Sequence, residues 1–193
     1  MSAQSSKKMV QKSKILGQLS LIFVTVGTTN FQFNRLFYAI DIVLDQIKSQ
    51  AKLIIQSGNS SYQWKYKNIL TKQFFSPPEM KKIIKASDRI ITHAGPGTLF
   101  LISQFSRIMP LVVARMFKLR EHASNHQVLF TEFIKNQFEV RLKKYFITEE
   151  TELIDRVKEY LSGNVSVNKL RSHIFNQANN KNLFTELERF INL

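Results

Sequence analysis

The sequence predicts an α/β domain whose parallel sheet is covered by helices on both faces. Three observations point there. Short apolar runs rich in β-branched residues alternate with stretches of helical periodicity from about residue 20 onward. The runs are apolar throughout rather than at every second residue, as in strands buried on both faces. No repeat or linker interrupts the alternation, so residues 19–193 read as one domain behind a flexible basic segment, 1–18.

The first strand is the run 21–26, which enters a turn at Gly27. Lys7, Lys8, Lys12 and Lys14 ahead of an apolar run that begins at Ile15 also resemble a signal peptide. However, no small-x-small cleavage site follows, and the end of the run reads better as a strand. Leu36, Phe37, Ile40, Val43, Leu44 and Ile47 lie three and four apart and predict a helix. Leu53-Ile54-Ile55 is a second strand and 68–75 a third. Pro77 and Pro78 suit the first turn of a helix with Met80, Ile83 and Ile84 on its inner face. Residues 88–92 form a fourth strand. Residues 99–105 form a short helix, nearly all apolar and hence expected to be buried. Residues 111–114 form a fifth strand.

Val128, Leu129, Phe133 and Ile134 predict the inner face of the next helix, and 138–142 a last strand. Leu153, Ile154, Val157, Tyr160 and Leu161 predict an amphipathic helix. The tail from Asn168 carries one or two more helices. The apolar positions Leu183, Leu187, Phe190 and Ile191 suit docking to a partner or packing on the chain's own domain.

Composition narrows the function. With 44% apolar and 22% charged residues, the 193-residue chain is neither disordered nor fibrous. No apolar stretch reaches the length of about 20 residues that spans a bilayer. The lack of cysteine excludes a disulfide framework and thiolate metal sites and fits a reducing compartment. The net charge of +14 favours polyanionic contacts: nucleic acid, an anionic membrane face or phosphorylated ligands. A generally basic surface explains the charge equally. Against nucleic acid, the basic residues are spread along the chain, and most of the 16 phenylalanines fall within apolar runs rather than between lysines.

Three clusters at strand ends could carry chemistry. Gly27-Thr28-Thr29-Asn30 follows the first strand. It offers a tight turn with hydroxyl and main-chain donors, or merely a glycine turn with Asn30 as a helix cap. His93-Ala94-Gly95-Pro96-Gly97-Thr98 follows the fourth. Its two glycines let a ligand approach the backbone, Pro96 stiffens the turn, and Thr98 opens a helix whose free amides favour phosphate. His93 there is either structural or ligand-facing. The turn is not the GxGxxG fingerprint and lies on the wrong strand for a nicotinamide cofactor. Arg120 to Gln127 follows the fifth strand. Its Glu121, His122, Asn125, His126 and Gln127 suit hydroxyl-rich groups, or form a polar cap. His122 and His126 are four apart but have no third ligand nearby, so no metal site is expected.

These three clusters in this order resemble the donor-binding half of GT-B glycosyltransferases, the family-28 C-terminal domain. The likeness covers roughly residues 20–140 and is closest to free-standing members. These include the catalytic subunit of a two-part N-acetylglucosaminyltransferase of dolichol-linked oligosaccharide synthesis, and bacterial capsule and exopolysaccharide subunits. The resemblance implies a Rossmann-like sheet, one half of a GT-B fold, with C-terminal helices. It implies inverting transfer from a UDP-sugar to a polyprenyl-linked or polysaccharide-precursor acceptor without cofactor or metal.

It further implies a partner: a membrane-anchored, acceptor-binding subunit that recruits this cytoplasmic chain to the membrane's cytoplasmic face. Gly27, Thr28 and Thr29 would face the cleft, and His93, Ala94, Gly95, Pro96, Gly97 and Thr98 the donor pyrophosphate. Glu121 and His122 match a Gly-Glu-His stretch, with Arg120 in place of the glycine. Asn125, His126 and Gln127 would meet the sugar or ribose. His93 and His122 are the candidate catalytic bases unless the partner supplies one. Leu101 stands where the peptidoglycan branch has a ribose-binding glutamate, and Asn125 where the family often has aspartate. A non-catalytic accessory subunit is the alternative.

Overall fold

A computed structural model describes residues 21–172. The basic segment over 1–18 and the apolar positions from Leu183 to Ile191 lie outside the described residues. Six parallel strands form one sheet: β1 (Leu21–Thr25), β2 (Lys52–Gln56), β3 (Ile69–Lys72), β4 (Arg89–His93), β5 (Leu111–Val113) and β6 (Phe146–Ile147). Their spatial order is β3-β2-β1-β4-β5-β6. It is the doubly wound, Rossmann-like order, whose direction of winding reverses between β1 and β4.

Register decides what meets at that reversal. Thr25 of β1 pairs with Thr92 of β4, so Val26-Gly27 and His93-Ala94 leave the sheet side by side. Both strands are buried beyond their first residue, as their unbroken apolar runs require.

Helix α1 (Asn34–Gln46) buries Leu36, Phe37, Ile40, Val43 and Leu44, the face its spacing predicts. It packs against α6 (Leu153–Ser162), which buries Leu153, Val157 and Tyr160. Helices α2 (Pro77–Ala86) and α3 (Pro96–Phe105) pack together. At the start of α2, the Glu79 carboxylate accepts from the Ser76 N–H and hydroxyl, a capping box. Lys72, bonded to the same carboxylate, holds Glu79 down at about 2.

Four expectations are corrected. Residues 138–142 are not a strand: α5 is Val140–Lys143. Phe138 and Leu142 are buried while Val140 is 84% exposed. A strand would put all three on one face, whereas a helix puts only residues four apart together. Helix α3 is not buried all round, because Phe100 is half exposed and only Leu99, Ile102 and Ser103 are fully covered. Helix α4 (His126–Lys135) buries Gln127, Phe130, Thr131 and Ile134 and leaves Leu129 exposed. The third strand is confined to β3 and lies at the sheet edge.

The segment ahead of β3 carries an unpredicted anchor. Asp41 of α1 is buried and accepts from the N–H groups of Lys65 and Tyr66 and from the Tyr62 hydroxyl. Tyr62 and Trp64 pack on Phe37 from that segment.

Candidate functional site

The turns after β1 and β4 meet through one ring. Gly27 has φ of +77°, a left-handed conformation that glycine adopts without steric cost. A Cβ on Gly27 would lie 2.5 Å from His93 Nε2, and one on Gly95 would lie 2.2 Å from the same atom. The His93 imidazole therefore occupies the space of both missing side chains. Gly58, after β2, continues the row. Its φ is +55°, and a Cβ there would lie 2.7 Å from the Gly27 carbonyl.

Burial, then the Arg115 charge, pushes His93 down to about 3, so the ring is neutral at physiological pH. A group so weakly basic is a poor proton acceptor. His122, the other candidate base, is also lowered, first by desolvation and then by Arg115. Its ring stacks on Phe31 at 6.2 Å.

Gly95 precedes α3 and Pro96 opens it. The Leu99 N–H is taken by the Gly95 carbonyl, while Gly97 and Thr98 lie within the helix's first turn, where amides lack helical acceptors. A Cβ on Gly97 would meet nothing within 4 Å, so that edge of the mouth is open. Thr28 is exposed, and Thr29 is half-buried. The Thr29 carbonyl accepts from Asn59.

The third cluster divides. Gln127 belongs to the mouth: its Oε1 accepts from the Ala94 and Arg115 N–H groups, both at 3.2 Å, joining the ends of β4 and β5. Among the described residues its Nε2 has no acceptor. Glu121 is buried, and its carboxylate is fully engaged. It binds Arg35 through both oxygens at 2.9 Å and accepts from the Met116 N–H. Its contacts are with the first turn of α1 and the loop after β5 rather than with open space. Asn125 Oδ1 accepts from the Phe117 N–H, and His126 Nδ1 lies 2.7 Å from Ser124 Oγ. Arg120 has φ of +56°, so the place where the resembling family has glycine is left-handed here.

Arg35, Phe33 and Arg115 were not among the candidates. Arg115 follows the apolar run of β5, and a charge at the end of a buried strand was the available signal. Its guanidinium lies 4.6 Å from the Phe33 ring centroid. Among the described residues, no group of three or more His, Asp or Glu side chains is placed to hold a metal ion, and no helix is long and apolar enough to cross a membrane. A groove of about 770 Å³ lies elsewhere, beside the C-terminal half of α1 and residues 62–68. Its buried acid, Asp41, is already satisfied by the three donors named above.

The family model of the Glycosyltransferase family 28 C-terminal domain matches residues 21–186. Similar curated proteins bear the name UDP-N-acetylglucosamine--N-acetylmuramyl-(pentapeptide) pyrophosphoryl-undecaprenol N-acetylglucosamine transferase. That of Borrelia garinii subsp. bavariensis is 30% identical over 73% of this chain and 39% of its own length. That of Borreliella afzelii is 27% identical over 73% of this chain and 39% of its own. The chain thus spans about two fifths of the length of these relatives.

Proposed function

This chain belongs to the glycosyltransferase family 28 C-terminal domains, and on that premise we propose that it is the donor-binding part of an inverting glycosyltransferase using a UDP-sugar. The acceptor is a lipid-linked saccharide, and a separate membrane-anchored subunit binds it. The observation that carries the reading is the mouth at the sheet reversal: Gly27 and Gly95 closed on His93, beside the open first turn of α3. Ligands of such sheets bind at that crevice, and a helix start favours phosphate.

In the reaction, an acceptor hydroxyl attacks the anomeric carbon from the face opposite the diphosphate. The bond to UDP breaks, the diphosphate takes the electron pair, and the acceptor proton passes to a base. This chain's part is to hold the donor. The Gly97 and Thr98 amides receive the diphosphate, the Gln127 amide group meets ribose or sugar hydroxyls, and neutral His93 shapes the wall. The base comes from the acceptor-binding subunit.

A partner surface has support of its own. Phe31, Phe74 and Phe117 are each 36–55% exposed and lie in the segments that follow β1, β3 and β5, at the carboxyl edge of the sheet. Exposed aromatic side chains along one edge suit an interaction face.

Calorimetric titration with UDP, UDP-N-acetylglucosamine, UDP-glucose and UDP-galactose, with ADP and NAD as controls, tests the reading. Uridine-selective binding is expected. Equal binding of ADP overturns it. No binding, either alone or in complex with the acceptor-binding subunit, assigns the chain the accessory role instead.

A further inference from the structure

The loops after β1 and β5 are tied by a charge cluster that donor contacts do not require. Arg115 is 1% exposed. Its Nη2 donates to the Val26 carbonyl at 2.7 Å, and its Nη1 donates to those of Phe31, Gln32 and Glu121 at 3.1, 3.0 and 3.0 Å. Its Nε is buried without an acceptor. Among the described residues no carboxylate pairs with it, because that of Glu121 is committed to Arg35. The cluster therefore sets two guanidiniums against one carboxylate.

The excess charge has a definite address. Val26, whose carbonyl Arg115 holds, precedes Gly27. The Arg115 N–H shares Gln127 Oε1 with that of Ala94, which precedes Gly95. The guanidinium thus sits behind Gly27, and the Arg115 backbone is tied to the residue before Gly95. An incompletely paired buried charge is costly, and tying four carbonyls alone does not require one.

We propose that Arg115 is a positioning residue of the donor site, whose uncompensated charge acts through the Gly27–His93–Gly95 wall on the diphosphate of a nucleoside diphosphate. The inference rests on the donor reading above. The guanidinium stays buried and contributes a fixed field that strengthens with each phosphate charge and leaves base and ribose unaffected.

The test titrates UDP, UMP and uridine into wild type, Arg115→Met and Glu121→Gln, using the full chain, or its complex where the partner completes the site. In Arg115→Met the ratio of UDP to uridine affinity should fall about tenfold. Glu121→Gln keeps the shape and one accepting oxygen, which can still take the Met116 N–H and one Arg35 donor, but removes the offsetting negative charge, so its ratio should rise several-fold. A purely structural clamp gives the opposite sign, because loosening the Arg35 pair would weaken UDP. If Arg115→Met does not fold, Glu121→Gln decides alone. An unchanged or lowered ratio in Glu121→Gln overturns this inference and leaves the donor reading intact. Absence of uridine selectivity in wild type overturns both.

Discussion

His93 stands in the place of a side chain on Gly95: a Cβ there would come 2.2 Å from Nε2. The backbone at Gly95 is ordinary, with φ of −75°, so the nearest obstacle to a side chain is the ring. Gly95→Ala should therefore destabilise the fold by about 1–3 kcal/mol through overpacking. Combining it with His93→Ala should recover most of the overpacking loss. Gly27→Ala should be rescued less by His93→Ala, because φ of +77° strains any side chain there. Urea unfolding of the two double-mutant cycles measures both couplings. Simple additivity at Gly95 would show that the ring moves aside.

Gly97→Asp should separate folding from binding. The site has room for the side chain. A carboxylate in the first turn of α3 interacts favourably with the helix dipole, worth roughly 0.3–1 kcal/mol. The same carboxylate repels a diphosphate. The melting temperature should be unchanged or slightly higher, while UDP binding by calorimetry is lost. Retained binding would move the phosphates away from α3.

Arg120→Gly should stabilise the protein, although glycine usually weakens a loop. Arg120 is left-handed, a conformation that costs a non-glycine residue about 1–2 kcal/mol, partly offset by the chain entropy glycine adds to the unfolded state. A rise of about 2 °C in melting temperature is expected by scanning calorimetry. A fall would mean that the Arg120 side chain makes contacts that outweigh the strain.

Stability should fall as the solution is acidified below about pH 6.5. His93 is held down at about 3 in the folded protein by burial and by the Arg115 charge. Between about pH 6.5 and 3 the unfolded chain binds a proton that the native ring refuses, so acid favours unfolding. One such proton gives a slope of at most about 1.4 kcal/mol per pH unit. His122 adds in the same direction. The lowered carboxylates of Glu79, Glu132 and Glu159 act at more acidic pH. Denaturant midpoints between pH 4.5 and 6.5 should flatten in His93→Asn. An unaltered slope would exclude His93 as the source.

Much of this was legible because local rules and tertiary packing agree. The runs of β1, β4 and β5 read best as buried strands, and Pro77 and Pro78 fit the first turn of a helix. Misreadings arose where hydropathy and packing part company. In α4 the buried face includes Gln127 and Thr131, whose side chains serve main-chain groups, while Leu129 is left exposed. At 138–142 three apolar positions fit a strand by alternation, but only Phe138 and Leu142 are anchored.

The candidate site shows the same division. The glycine turns could be found from strand ends, since only a turn there explains such residues. Their closure on His93 depends on the register of β1 against β4, which periodicity does not encode. Glu121 and His122 are adjacent in sequence, yet Glu121 turns to Arg35, 86 positions earlier. No local pattern reveals a pair at that separation.

The row Gly58–Gly27–His93–Gly95 also bears on how fast a ligand is captured. Its members belong to the ends of β2, β1 and β4 and lie so close that a Cβ on any of the three glycines would collide with its neighbour, so the wall has little slack to take up when a ligand enters. Little ordering entropy remains to be lost there, and no closing motion need precede capture at that wall. Encounter frequency, rather than an internal rearrangement, then sets the pace of association, and the basic surface of the chain raises that frequency for anions at low ionic strength.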